Sequence, residues 1–477
     1  MFNKNKFRIL GFLLLSLIYS SCKIPALVQK NENPKVPAAY AGNNDTTNIG
    51  KIKWVDFFKD QYLTSLIDTA LQNNQELNIT LQEIEIARNE VRVRKGELMP
   101  NVGLKAGAGL EKVGRYTSQG AGDASTEIKP GKEMPEPLPD YLVGLYAKWE
   151  VDIWHKLRDS KKAAYTRYLS SVEGKNFVIT SLVAELANSY YELLALDNQL
   201  DIVRKNIDLQ TNALEIVRIQ KQATRVTELA VRKFEAEVLN SKSLEFEILQ
   251  KTTETENKIN FLLGRYPQHI MRDKSGFNGS LIYQLQAGIP SQLLANRPDI
   301  KQAELDLIAS KLDVRVAKAQ FYPSFGISAG LGFQAFNPKF LIKTPESMLY
   351  SIAGDMVAPL INRNAIKANY LTANAKQIQA VYQYERSILN AYLEVANQLS
   401  GITNLEKSYD LKSKQVQALS QSIEISNDLF KSTRADYLEV LMTQRDALEA
   451  KLDLIETRKQ QLNATVKIYQ ALGGGWN

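Results

Sequence analysis

Two long stretches without proline constrain this chain more than any other feature of its sequence. No proline occurs in residues 140–266 or in residues 360–477. Because a proline inside a helix costs roughly 3 kcal/mol, these gaps permit helices far longer than those of ordinary globular domains. We predict one helix over about residues 156–220, which would extend on the order of 100 Å.

Apolar side chains recur in these stretches at alternating steps of three and four residues, including a run from Leu441 to Tyr469. This 3.5-residue spacing is typical of helices that pack along one another as coiled coils. We therefore predict long antiparallel coiled-coil helices rather than several compact domains. The first series comprises Ile179, Leu182, Leu186, Ser189, Leu193, Leu196, Leu200, Val203, Ile207, Gln210, Leu214 and Val217.

The chain also repeats itself. Residues 91–110 (VRVRKGELMPNVGLKAGAGL) and 314–333 (VRVAKAQFYPSFGISAGLGF) are identical at nine of twenty positions, at a fixed offset of 223 residues. A weaker match at an offset of 209 residues relates Thr224-Arg225 to Thr433-Arg434. Ordered matches at a fixed spacing indicate an internal duplication.

The duplication predicts two similar halves. The first repeat is expected over residues 51–267 and the second over residues 298–477, joined by a connecting, equatorial segment at residues 268–297. Each half should contain a helix, a pair of strands separated by a loop, and a pair of long helices. The fold class is therefore mixed and mainly α, with an internal two-fold repeat.

Period-two alternation predicts the strands. After Pro100 and Pro323, apolar residues alternate with glycine, small or polar residues, so each strand has one apolar face. This pattern fits a transmembrane barrel strand and equally a half-buried soluble sheet. Four strands cannot close a barrel, so membrane strands would require an oligomer. The strand pairs are expected at about 100–113 and 141–152, and at about 323–335 and 347–358.

The N-terminus has the features of an export signal. A basic start without acidic residues precedes the apolar run Ile9–Tyr19, which is too short to span a hydrocarbon core of ~30 Å. The run ends at Cys22 in a pattern that looks like a lipobox. We predict a lipoprotein signal peptide over residues 1–21, lipid attachment at Cys22, and a lipid-anchored tether over residues 22–50. An ordinary signal peptide with an incidental cysteine is the alternative.

Composition excludes more classes than it supports. A single cysteine rules out a disulfide scaffold and Cys-rich zinc sites, and His155 and His269 are the only histidines. We therefore expect no metal, no cofactor and no enzymatic activity. The net charge of +7 falls to +4 without the three basic residues of the signal, and no basic cluster contains interleaved aromatic residues, so nucleic-acid binding is not favoured.

Several stretches together resemble the TolC-like outer-membrane efflux proteins, in particular their lipoprotein branch. The resemblance implies a homotrimer with a 12-stranded transmembrane β-barrel, to which each chain contributes four strands, and a periplasmic α-helical barrel. It implies a passive exit duct for drugs or other small solutes, coupled through a periplasmic adaptor (membrane fusion) protein to an inner-membrane RND-type transporter. The matching stretches are WVDFF (54–58), WEVDIW (149–154), NRPDI (296–300), AKAQFYPS (317–324) and residues 437–476.

The resemblance also implies where the periplasmic entrance lies. The turns of the helix pairs, near Ala223–Leu229 and Ser432–Leu438, correspond to the narrow mouth of the family's channels. The acidic positions of the second turn map onto Glu439 and Met442. A ring of Glu439 carboxylates would attract cations, whereas a ring of Met442 would form a flexible apolar constriction. Candidates for ion pairs that hold the mouth closed are Asp436, Arg434 and Arg225.

Two alternatives to a drug-efflux duct remain open from the sequence. One is the outer-membrane channel of a type I secretion system, which exports polypeptides. The other is a structural coiled-coil lipoprotein without a pore, although such a spacer has no need of glycine-rich strand pairs. The expected location is the cell outer membrane, with a lipid anchor and a helical barrel in the periplasm.

Overall fold

The computed structural model describes residues 24–40, 47–274, 277, 287–360, 363–432 and 434–476. The predicted signal peptide and Cys22 lie outside these residues. The helices of the described chain are α1 (Trp54–Phe57), α2 (Gln61–Asn73), α3 (Gln75–Gly96), α4 (Ser118–Asp123), α5 (Lys156–Gln222), α6 (Glu228–Leu262), α7 (Gln292–Asn296), α8 (Pro298–Ala319), α9 (Asn364–Lys431) and α10 (Tyr437–Ala471). The strands are β1 (Asn101–Glu111), β2 (Glu127–Lys129), β3 (Lys132–Glu133), β4 (Leu138–Val151), β5 (Ser324–Ala335) and β6 (Met348–Val357).

Two helices dominate the fold, as the proline-free stretches predicted. Helix α5 has 67 residues and α9 has 68, so each extends about 100 Å. Each is followed by a 35-residue helix, α6 or α10. Eleven of the twelve residues in the first predicted series, all except Ile179, are buried, which confirms that this side of α5 packs against other helices.

The four long strands form one antiparallel sheet in the order β1-β4-β5-β6. Strands β1 and β4 come from the first half of the chain, and β5 and β6 from the second, so the two hairpins meet at β4 and β5. There, Gly144 pairs with Gly332 and Leu145 with Leu331. The segment between β1 and β4 contains α4 and a separate ribbon of β2 and β3.

The chain divides into two compact units. One contains the residues up to Asn31 together with Ile86–Tyr168 and Leu305–Val381, and it holds the four-stranded sheet. The other contains Glu32–Glu85, Leu169–Glu304 and the residues from Tyr382 onward, and it holds α6, α10 and most of α5 and α9. Each unit contains segments from both halves of the chain. The sequence repeat therefore does not correspond to the two units; it is visible as a repeated order of elements along the chain.

A pair of glycines shows the repeat at atomic detail. Gly264 follows α6 and Gly473 follows α10, with φ angles of 66° and 86° that favour glycine. A Cβ atom at Gly264 would lie 2.4 Å from the Asn73 carbonyl oxygen, and one at Gly473 would lie 2.6 Å from that of Asn296. Both long helix pairs therefore end in the same tight contact with a preceding short helix.

Candidate functional site

The turn between α5 and α6 is the first candidate element of the entrance. Thr224 adopts a positive φ of 55°, and the Arg225 N–H donates to the Gln220 carbonyl at 2.9 Å. This bond, spanning five residues, closes the end of α5 in the manner of a Schellman motif. Arg225 is exposed at the tip of the turn.

The turn between α9 and α10 has the same construction. The Arg434 N–H donates to the Leu429 carbonyl at 2.8 Å, and the Glu439 N–H donates to the Asp436 carbonyl at 3.1 Å. In the first turn the equivalent of this second bond joins Ala230 to Thr227, also at 3.1 Å. The offset of 209 residues found in the sequence is therefore a repeat of backbone geometry, although Thr433 itself is outside the described residues.

Glu439 and Met442 lie three residues apart on α10, so they share one face of the helix. Both side chains are exposed, and Met442 has 45% of its surface accessible. Val440, between them, is buried and fixes the opposite face against the neighbouring helices. Glu439 lies in the first turn of α10, where the helix dipole favours a negative charge.

Ion pairs at the first turn involve residues that the sequence analysis did not single out. Glu228 pairs with Lys221 across the turn, and with Arg232 at 2.9 Å along α6. The hydrogen bond from Lys221 is the largest influence that lowers the pKa of Glu228. Arg232 also pairs with Glu235 at 2.9 Å. The helical spacing of these three α6 residues was visible in the sequence, whereas the pair with Lys221 depends on the turn.

Three residues were predicted to form ion pairs that hold the entrance closed, and all three lie at the two turns. Arg225, Arg434 and Asp436 are all exposed. Within the described part of the chain, no salt bridge of up to 4.0 Å joins them to an opposite charge. Their pairing, and the roles of Glu439 and Met442, stay predictions about the assembled protein.

The four-stranded sheet has one uniformly apolar face. Leu104, Leu145, Leu331 and Tyr350 stand directly opposite one another across all four strands, so their side chains share that face. They are 75%, 54%, 55% and 77% exposed. An uncovered apolar surface of this extent marks an interaction with another protein or with a membrane.

The other face of the sheet is polar and rich in glycine. It carries Lys105 and Lys148, with Gly144 paired to Gly332 between β4 and β5. A Cβ atom at Gly332 would lie 2.6 Å from the Gly144 Cα, so only glycine permits this close approach. A cavity of about 1080 Å³ opens beside this face, lined in part by Arg94, Lys148 and Glu150.

Indole side chains cluster at the end of the sheet that adjoins the helices. The Trp154 Nε1 donates to the Pro323 carbonyl at 2.7 Å, and its ring stacks on Tyr322 with centroids 4.8 Å apart. The Trp149 Nε1 donates to the Leu98 carbonyl at 3.1 Å. Trp and Tyr side chains that combine an apolar ring with one hydrogen-bonding group are typical of a membrane–water boundary.

Two parts of the predicted tether pack against other segments of the chain. In the sheet-containing unit, Ile24 and Leu27 contact the cluster of Val314, Ala317, Phe321 and Tyr370. Phe321 lies three residues before the first residue of β5. In the other unit, Tyr40 is buried and stacks on Tyr392 of α9, with centroids 5.5 Å apart.

The two histidines have ordinary structural surroundings. His155 has a φ of 59° between β4 and α5, and the exposed His269 lies 3.0 Å from Glu256. Among the described residues, no group of three potential ligands from His, Cys, Asp and Glu comes together as a metal site would require. In the same residues, no helix combines the length and apolar character needed to cross a membrane.

Comparisons with known proteins agree with this geometry. The family model described as outer membrane efflux protein matches residues 66–265 and 289–474. The pyoverdine export outer membrane protein OpmQ of Pseudomonas aeruginosa is 27% identical over 441 residues, covering 91% of this chain and 90% of OpmQ. The solvent efflux pump outer membrane protein SrpC of Pseudomonas putida is 26% identical over 441 residues, covering 92% and 91% of the two chains.

A solved structure shows the same fold. The open state of the Neisseria gonorrhoeae MtrE outer membrane channel matches with a TM-score of 0.81 at 23% identity, covering 96% of this chain and 99% of that one. The structural match shows the fold alone. The family model is matched by sequence and covers most of the chain, so it carries the family assignment. This chain therefore belongs to the outer membrane efflux protein family and acts in efflux at the outer membrane.

Proposed function

We propose that this protein is the passive exit duct of a tripartite efflux system, conducting drugs or other small solutes that an inner-membrane pump expels. The observation that carries the proposal is the uncovered apolar face of the four-stranded sheet, in a chain that also contains two helices of about 100 Å. The sheet supplies a surface for lipid, and the helices supply the length needed to reach across the periplasm.

The duct is a homotrimer in this proposal. Strands β1 and β6 are the edges of the sheet, and an unpaired edge in lipid leaves backbone groups without hydrogen bonds at several kcal/mol each. Pairing β6 of one chain with β1 of the next satisfies both edges. Three chains then close a barrel of twelve strands, which is within the size range of outer-membrane barrels.

The proposed partners are a periplasmic adaptor protein and an inner-membrane RND-type transporter. Support comes from the relatives, one of which is named as the outer membrane protein of a solvent efflux pump and another as one of pyoverdine export. The duct itself needs neither cofactor nor catalytic residue, because the pump performs the energy-dependent step. We accordingly propose that the protein is not an enzyme.

Lipid attachment at Cys22 is part of the proposal. Ile24, two residues after Cys22 in the sequence, packs against the apolar cluster that contains Phe321, and Phe321 is close to the start of β5. This is the end of the strands where Trp149 and Trp154 lie, which supports a lipid anchor on the chain just before Ile24. Labelling with palmitate should be lost in Cys22→Ser, whereas retained labelling would contradict the assignment.

The function is tested with the purified full-length protein in planar bilayers and with a gene deletion. We expect heat-modifiable oligomers in outer-membrane fractions, discrete pore conductance, and increased susceptibility to small toxic solutes on deletion. Loss of polypeptide secretion with unchanged solute susceptibility would instead favour a type I secretion channel. Oligomers without conductance would favour a coiled-coil spacer and would overturn the proposal.

A further inference from the structure

Two lysines stand on the polar face of the four-stranded sheet among neighbours that carry no charge. Lys105 of β1 is paired with Gly144. Lys148 of β4 is paired with Asn101 on one side and with Ser328 on the other. Both lysine side chains are exposed. Within the part of the chain that the structure describes, neither lysine forms a salt bridge of up to 4.0 Å.

The band of the polar face between the two lysines contains no acidic side chain. Side chains alternate between the faces of a strand, so the sheet register gives the residues of this band. Apart from the lysines they are glycine, alanine, serine, asparagine, leucine and tyrosine. The acidic residues of the same face lie outside the band. Glu111 and Asp140 are on the side of the loops, and Glu150 and Asp355 are on the side of the long helices.

The cavity of about 1080 Å³ beside this face gives a solute access to Lys148. The other charged residues of its lining are Arg94, Glu97, Glu150 and Lys156. Arg94 pairs with Glu97 at 3.1 Å, and Lys156 pairs with Glu150. Among these lining residues, only the Lys148 ammonium group is without a partner in the described part of the chain, so it is available to an anion that enters the cavity.

In the proposed duct the polar face of the sheet lines the lumen, because the apolar face is turned to lipid. We therefore call Lys105 and Lys148 the lumenal lysines. Their levels are four residues apart along β4, which corresponds to about 13 Å. Twelve strands spaced about 4.8 Å apart and tilted by ~40° close a barrel with a backbone radius of about 12 Å. Lysine side chains that point inward thus lie within a Debye length, ~10 Å at 0.1 M salt, of a solute on the axis.

We propose that the lumenal lysines form a basic band that attracts anionic small solutes into the barrel and favours their passage over that of cations. The inference rests on the proposed function as a duct and adds the charge class of the solutes that the barrel favours. Rings of lysine or arginine act in this way in pores that conduct anions. The lipid around the barrel has a low dielectric constant, which concentrates the field of the ammonium groups in the lumen.

The two lysines differ in their surroundings in the closed barrel. Lys148 is on a central strand, so both of its neighbouring strands belong to the same chain and place no acidic residue beside it. Lys105 is on the edge strand β1, which would meet β6 of the next chain, and β6 carries Asp355. An ion pair across that boundary would neutralise Lys105 but not Lys148. Removing the charge of Lys148 should therefore have an effect by itself.

The test uses the full-length protein in planar bilayers at 0.1 M KCl, with citrate on both sides as a trivalent anionic probe. Lys105→Gln/Lys148→Gln keeps polar side chains and removes the charges. We expect the citrate concentration for half-maximal block to rise by about tenfold or more, and the chloride-to-potassium permeability ratio to fall by about twofold. Lys148→Gln alone should shift both in the same direction. Lys35→Gln, at an exposed position of the tether, is the matched control and should change neither.

Unchanged citrate block in the double variant or in Lys148→Gln, with the unitary conductance retained, would overturn the inference. The wild-type protein supplies a second test that needs no substitution. Raising KCl from 0.1 to 1 M shortens the Debye length from ~10 to ~3 Å, so citrate block should weaken by about tenfold or more. Block that does not depend on salt, or conductance without block, would refute the basic band alone. A wild-type protein without conductance would refute the proposed function as well.

Discussion

The guanidinium of Arg297 forms a paired hydrogen bond with the carboxylate of Asp299, with Nε–Oδ1 and Nη2–Oδ2 distances of 3.0 and 2.7 Å. Its Nη1 also donates to Glu394 on α9 at 2.7 Å and to the Ala471 carbonyl at the end of α10 at 2.9 Å. Burial lowers the pKa of Arg297, but Asp299 and Glu394 more than offset this and raise it. One side chain thus joins the start of α8 to both helices of the second pair.

Replacing Arg297 should be strongly destabilising. Arg297→Ala leaves the buried Ala471 carbonyl and the partly buried Asp299 carboxylate without their donor, so we expect a loss of about 1–3 kcal/mol in the free energy of unfolding. Arg204→Ala removes the exposed pair with Glu245 and should cost no more than ~1 kcal/mol. Calorimetric unfolding of the two variants makes the comparison, and equal losses would contradict the structural role of Arg297.

The Gly144–Gly332 pair should tolerate no side chain. In Gly332→Ala the new Cβ would meet the Val143 carbonyl oxygen at 2.5 Å, and overpacking of this kind costs about 1–3 kcal/mol. We expect less heat-stable oligomer on unheated gels. Gly107→Ala, where nothing lies within 4 Å of the added Cβ, is the control; a similar loss in both would show that the close approach does not matter.

Two glycines in the helical part of the chain should respond oppositely to alanine. Gly473→Ala places a residue with a Cβ at a φ of 86°, and the Cβ would clash with the Asn296 carbonyl. The substitution should therefore lower the thermal unfolding midpoint. Gly401→Ala lies inside α9 with open space around it and should stabilise by roughly 0.5–1 kcal/mol. Two changes of the same sign would be incompatible with these backbone conformations.

The Glu228 carboxylate should titrate below its ordinary value. Its folded pKa is lowered by Lys221 and Arg232, so its contribution to the tip is present at neutral pH and is lost as the pH falls through the folded pKa. The side-chain carboxyl resonance of labelled protein should therefore have a titration midpoint below that of an ordinary glutamate. Lys221→Met should move the midpoint upward, and an unchanged midpoint would exclude the pair across the turn.

Glu439 and Met442 should affect conduction in different ways. Glu439→Ala should weaken block by divalent cations, because the proposed ring loses its charges. Met442→Ala should increase conductance, because the apolar ring becomes wider. Single-channel recordings in bilayers measure both quantities. Unchanged block and unchanged conductance would remove these residues from the entrance, with Asp208→Ala as an exposed acidic control on α5.

The long helices and the faces of the strands were predictable from sequence because both follow from local periodicity. Helix α5 was expected to end at about residue 220 and ends at Gln222. The alternation after Pro323 placed Leu331 on the apolar face, where the sheet register puts it opposite Leu145. Within one helix or strand, the face on which a side chain lies follows from its position in the repeat, and this position can be read from the sequence.

The tertiary structure alone decided which distant segments share a level or a turn. The sequence placed Gln210 in the predicted packing series of α5. Only the structure shows two apolar clusters on either side of it, one with Leu214 and Val440 and the other with Ile207 and Leu448, so that Gln444 of α10 lies at the same level. Likewise, the pairing of Lys221 with Glu228 depends on the turn at Thr224. The first relationship arises from packing between segments far apart in the chain, and the second from the closure of a turn. The periodicity of residues along the chain specifies neither the packing nor the turn.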